Sequence, residues 1–144
     1  MIKNIYEIMD EFEKQTTREG RKEVLAKNAS PHFKQFLKFA FDPAIQFYIK
    51  EFPDNYKTPD TFPGLRVAGL ESELRKTYLF TKGDPTADIL TESKRKLLLL
   101  QMLESFEPRE ADMYMRMLNK DLKVPYLTEK LLKEVFPSLI NEAM

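Results

Sequence analysis

The sequence predicts an all-α protein, a single compact bundle-like domain of seven or eight helices spanning residues 1–144. Three observations predict it. Apolar residues recur at helical spacing along most of the chain. Helix-start signals, an acceptor side chain followed by proline, divide it at Ser30-Pro31, Asp42-Pro43 and Asp84-Pro85. No stretch shows the two-residue alternation of a half-buried strand. The length suits one domain, and a domain of this size buries roughly 70% of its unfolded surface.

Ile2, Ile5, Tyr6, Met9 and Phe12 place a first amphipathic helix over residues 2–14. Thr16-Thr-Arg-Glu19 matches a capping box, so a second helix follows to about Asn28. The helix after Ser30 buries Phe33, Phe36, Leu37 and Ala40. The one expected after Asp42 aligns Ile45, Tyr48, Ile49 and Phe52 on one face. Pro53 to Gly64 holds three prolines and reads as an extended loop. Val67 to Phe80 is expected to be helical, ending at Thr81-Lys-Gly83. Lys94 to Phe106, with Leu97 to Leu100, is apolar around much of its circumference, the pattern of a central buried helix. Pro108 opens the next helix, with Met115, Leu118 and Leu122 as its inner stripe. The last runs from about Tyr126 to Val135.

Net charge is zero, from 23 basic and 23 acidic residues. Tight nonspecific DNA binding rests on unopposed phosphate contacts, so a neutral total opposes it. The charge is unevenly spread, however. Residues 14–38 carry seven Lys/Arg against two Glu, and residues 116–133 carry five against Asp121 and Glu129. If the two segments meet, they form a basic face. With no cysteine, neither disulfides nor thiolate metal sites can form, which fits a reducing cytoplasm. The single histidine, His32, counts against a His-based metal site or a Ser-His-Asp relay. No apolar run is long enough to span a membrane, and the N-terminus has no signal-peptide pattern.

Few residues invite catalytic chemistry. There is no Walker A loop, no paired-glycine dinucleotide turn and no His-Glu-x-x-His. No cofactor or metal is implied. In Phe47-Tyr-Ile-Lys50 the apolar residues read as core, with Tyr48 the candidate for stacking on an unpaired base. Arg116, Lys120 and Lys123 recur at i, i+4, i+7 and are expected to share one helix face. Such a row is either a solvated charged face or a phosphate-binding one.

Two distant segments carry a resemblance. They are Phe41-Asp-Pro-Ala-Ile-Gln-Phe-Tyr-Ile-Lys-Glu-Phe-Pro53, and Met117-Leu-Asn-Lys-Asp-Leu-Lys123 followed by Leu131-Leu-Lys-Glu-Val-Phe-Pro-Ser-Leu-Ile140. Together they resemble the N-terminal DNA-binding domain of T-even-type phage ATP-dependent DNA ligases. Arg21-Lys-Glu-Val-Leu-Ala-Lys-Asn28 is similar to the family's second helix, and Thr81-Lys-Gly-Asp84 to a family Thr-Gly-Asn connection. The resemblance runs in order over nearly the whole chain. It implies the DNA-holding part of a ligase without its catalytic domain, because the chain ends at Met144 where nucleotidyl transfer would begin. The Lys-x-Asp-Gly nucleophile motif is absent, as no Asp-Gly pair occurs.

In that family a basic-Asp-Leu stretch and a glycine turn lead into a helix whose N-terminus faces the phosphate backbone. Lys120-Asp-Leu-Lys-Val-Pro-Tyr-Leu-Thr128 keeps the first part but has Val124-Pro125 near the glycine's place. Proline cannot take up a left-handed turn, so the turn is expected to be lost. The resemblance implies a noncatalytic phage protein, in the cytoplasm of the infected host, that binds intact or nicked duplex DNA through backbone and minor-groove contacts. Arg116, Lys120, Lys123 and Lys130 would neutralise phosphates, assisted by Lys82 and the amides around Tyr126 to Thr128. A second expectation is an interaction module that has exchanged DNA for a phage or host replication or repair protein. A third is a subunit serving a catalytic protein in trans.

Overall fold

The helices begin where side-chain acceptors meet the first free amides. The structure, a computed structural model, describes residues 5–49, 70–106, 108–137 and 139. The first helix, α1, is Ile5–Glu13 and α2 is Arg18–Lys27. Thr17, not Thr16, caps α2, accepting from the Gly20 amide at 3.0 Å. Ser30 caps α3 (Pro31–Phe41), accepting from Phe33 at 3.2 Å, with Pro31 at the first position. Asp84 caps the short α5 (Pro85–Ile89), and Thr91 caps α6 (Glu92–Ser105). Pro108 opens α7 (Pro108–Leu118), and Thr128 caps α8 (Glu129–Val135). Each such cap stabilises a helix by about 1 kcal/mol.

The organising helix is α7. Ala111, Met113, Tyr114, Met117 and Leu118 are buried, and it packs against α1, α3, α6 and the short α4 (Leu70–Glu73). Of the expected stripe Leu118 and Leu122 are buried, while Met115 is only half-buried and Tyr114 and Met117 face inward in its stead. Phe12, Phe33, Phe36, Leu37, Phe80 and Phe106 complete the core. Two polar groups are carried inside with partners. Tyr114 Oη lies 3.0 Å from Thr77 Oγ1, and Glu110 Oε2 accepts from the Leu70 amide at 2.9 Å. Burial pushes the Tyr114 phenol well above its ordinary value. The described residues thus form one all-helical core of eight α-helices and a 3₁₀ helix, with no strand.

Three expectations are corrected. The region after α4 is not α-helical but a 3₁₀ helix, Leu74–Phe80. Leu74, Thr77 and Phe80 are all fully buried, and a three-residue spacing matches the three-residue 3₁₀ turn. The expected loop from Pro53 to Gly64, and residues 67–69, lie outside the described residues. Helix α6 is not central: Leu97 is 46% exposed, and of Leu97 to Leu100 only Leu99 is buried. Its inward stripe is Leu99, Met102 and Leu103, against α7.

The third correction matters most for function. Described residues 42–49 form a turn and an extended stretch instead of a helix. Asp42 ends α3, its amide donating to Lys38 O, and its Oδ1 accepts from the Ala44 amide at 2.9 Å. The chain then pairs Phe47 with Thr81 in an isolated antiparallel bridge, with Tyr48 N donating to Phe80 O at 2.8 Å. Phe47 is buried and Ile45 and Ile49 pack on the core, so this segment is scaffold as expected. Phe52 lies outside the described residues.

Candidate nucleic-acid interface

The connection between α7 and α8 carries most of the residues singled out above. Its geometry begins with the way α7 ends. The Asp121 amide donates to Arg116 O at 3.1 Å and the Lys120 amide to Met117 O at 3.0 Å, with Lys120 at φ +58°. This is a Schellman ending, with Lys120 at the left-handed position usually held by glycine. Arg116, Lys120 and Lys123 therefore do not share a helix face, because the helix stops at Leu118.

Lys120 points inward. Its half-buried ammonium donates to the carbonyls of Phe39 (2.8 Å), Asp42 (2.8 Å) and Ile45 (2.6 Å). A cation at the last turn of α3 also suits the negative end of that helix. Burial lowers its pKa from the ordinary lysine value, opposed by the Asp42 charge. The chain after Asp42 makes a single turn, the Ile45 amide closing on Asp42 O at 3.1 Å, and the Lys120 ammonium holds that turn through the carbonyls of Asp42 and Ile45. Lys120 is thus a strut, committed to the protein's own backbone.

Arg116 is similarly engaged. It pairs with Asp112 at 3.0 Å and donates to Leu122 O at 3.1 Å. Beyond it, Asp121 Oδ1 accepts from the Lys123 amide at 3.1 Å, with Lys123 at φ +55°. Leu122, Val124 and Leu127 turn inward and are buried, while Lys123, Pro125 and Tyr126 are exposed. The Leu127 amide closes on Val124 O at 3.2 Å, with Tyr126 at φ +67°. This is a β-turn with proline second and a left-handed third residue, the type II pattern. The turn expected to be lost is therefore present. Pro125 sets its first corner, and Tyr126 adopts the conformation that proline could not.

The two basic segments meet here. Helix α2 packs on α8, Arg18 pairs with Glu134, and the Arg21 guanidinium lies 3.9 Å from the Tyr126 ring centroid. Lys123 and Lys130 are exposed and make no ion pair among the described residues. The Thr128 hydroxyl is taken up in capping, accepting from the Leu131 amide at 3.2 Å.

Lys82 belongs to a second cluster. Its ammonium is exposed, 5.9 Å from the Tyr48 ring, which the Arg95 guanidinium covers at 3.9 Å. The Tyr48 hydroxyl donates to Asp88 Oδ1, which also accepts from the Gly83 amide at 3.0 Å. That bond raises the Tyr48 pKa and lowers that of Asp88. Half-buried and with its hydroxyl tied to Asp88, Tyr48 is a poor stacking surface.

Arg21 was visible in the sequence only as part of a basic run. The local signal for its partner was Pro-Tyr after a valine, since proline at a turn's second position calls for a left-handed residue next.

A solved chain titled Pmar-Lig_PreS3 shares the fold, with a TM-score of 0.62 at 18% identity over 94% of this chain. The likeness covers 31% of that chain, so this protein spans about a third of its length. No curated protein matches the sequence. A family model described as a family of unknown function matches residues 8–124, and the chain belongs to that family, DUF6433.

Proposed function

We propose that this protein is a noncatalytic module that holds duplex DNA through its backbone, in phage DNA metabolism in the host cytoplasm. The observation that carries the reading is the junction of the two basic segments, where Arg21 covers Tyr126, with exposed Lys123 and Lys130 on either side of Tyr126 in sequence. Exposed cations without acidic partners are the groups that replace counterions on phosphate. A fold shared with part of a solved chain whose title contains "Lig" agrees with the ligase resemblance of the two segments. The likeness to T-even-type phage ligase DNA-binding domains is part of this proposal. So is the absence of any reaction by this chain.

The roles differ from those expected of the sequence. Lys123 and Lys130 make the phosphate contacts, with Lys82 as a separate contact beside Tyr48. Lys120 and Arg116 shape the loop that presents them. Such contacts position a protein without reading base sequence. The test is binding to nicked and intact duplexes at two salt concentrations. The reading expects binding that weakens steeply with salt, and a marked loss on combining Lys123→Glu with Lys130→Glu. Absence of binding at low salt contradicts it.

A protein-docking reading has one observation of its own. Ile89 is 81% exposed at the end of α5, and Leu97 is 46% exposed on α6. If Ile89 belongs to the functional surface, Ile89→Lys abolishes capture of the partner while the lysine reversals leave it intact.

A further inference from the structure

We infer that Tyr126 is a stacking platform for an unpaired nucleobase, so that DNA with a gap is bound more tightly than the same duplex intact. The inference rests on the DNA-binding reading and adds a substrate preference to it.

Tyr126 is 67% exposed, at the tip of the Val124–Leu127 turn. A left-handed backbone costs an L-residue about 1–2 kcal/mol, which glycine would avoid at this position. Its ring fills no core space that would compensate. Arg21 supports one face at 3.9 Å, and Arg21 is itself held by a bond from its guanidinium to Gln15 O at 3.4 Å. Exposure of this extent, with one face covered, leaves the other face to solvent.

The platform is fixed. Val124 and Leu127 on either side of Pro125-Tyr126 are buried at 7% exposure each, so the turn is anchored at both ends. An aromatic presented in one orientation loses little freedom when a base stacks on it. Base–aromatic stacking contributes about 1–3 kcal/mol per base and tolerates any base. Lys123 and Lys130, on either side in sequence, supply the cations that follow a single strand. Tyr48 is the contrast, because it is only part-exposed, Arg95 covers its ring at 3.9 Å and its hydroxyl is bound to Asp88.

The test uses the full chain and two labelled DNAs of one length, an intact duplex and a duplex with a short gap carrying 2-aminopurine. Wild type is expected to bind the gapped DNA about 10-fold tighter and to quench the 2-aminopurine. Tyr126→Ala removes both effects, so that the two DNAs are bound alike. Tyr126→Phe keeps both. Equal binding of the two DNAs by wild type, or a preference that survives Tyr126→Ala, overturns the inference and leaves the DNA reading standing. Failure to bind either DNA overturns both.

Discussion

Lys120 and Lys123 lie three residues apart in one loop, and both are left-handed, yet they serve opposite sides of the molecule. Lys120 turns in and spends its charge on three backbone carbonyls, 75 or more residues away in sequence. Lys123 turns out and forms no ion pair among the described residues. The difference arises from where α7 stops. A Schellman ending reverses the chain at Lys120 and points its side chain at the end of α3, while the Asp121 side chain sets the next corner at Lys123. Equal charge and similar backbone therefore do not mean equal function. One lysine holds the scaffold, and the other is available to a partner.

The largest expected effect comes from breaking the inner member of the pair. Lys120→Ala removes the charged donor from three carbonyls, and bonds to a charged group are worth about 1.5–3 kcal/mol each but do not add. Unfolding in denaturant should show a loss of about 3 kcal/mol. Lys123→Ala should stay within about 0.5 kcal/mol, as surface substitutions do.

Glycine sharpens the comparison further. Both positions favour glycine by backbone conformation alone. Lys123→Gly is expected to be neutral or stabilising by about 0.5 kcal/mol, the relief of strain outweighing the added freedom of the unfolded chain. Lys120→Gly should still destabilise by about 2 kcal/mol, because the strut is lost. The same sign at both positions would mean that the carbonyl contacts contribute little.

The smallest effect is set by an exposed reference pair. Arg109 holds Asp10 through two bonds, Nη1 to Oδ2 at 2.8 Å and Nη2 to Oδ1 at 2.7 Å. The bond from Arg109 lowers the Asp10 pKa below its ordinary value of 3.8, with burial opposing it. The sign follows from the lowered folded value. The pair's contribution is complete above the ordinary carboxylate range and is lost as pH falls through the folded Asp10 value. At neutral pH, Asp10→Asn should cost about 0.5 kcal/mol, the scale of an exposed pair, and the difference should vanish in strong acid. The excess of the Lys120→Ala effect over this one measures what burial adds.

The parts of the fold legible in the sequence were those decided locally. Ser30-Pro31 and Asp84-Pro85 start helices because the acceptor and the amides it serves lie within three residues. Asp42-Pro43 carries the same signature but starts only one turn, closed from the Ile45 amide to Asp42 O, and Lys120 holds the carbonyls of Asp42 and Ile45 from across the fold. Nothing near Asp42 shows that distant side chain. The two charged runs were legible in the sequence, and the packing of α2 on α8 brings parts of them together. Which of their cations turn outward was not legible. Helical spacing of Arg116, Lys120 and Lys123 presumes a helix that ends at Leu118.

The most direct test of this division is amide hydrogen exchange on the full chain, with and without a saturating duplex at low salt. DNA held at the outer face should protect residues 20–23 and 122–130 and leave residues 39–45, behind Lys120, unchanged. Protection confined to Ile89 through Leu97, or none at all, would contradict it.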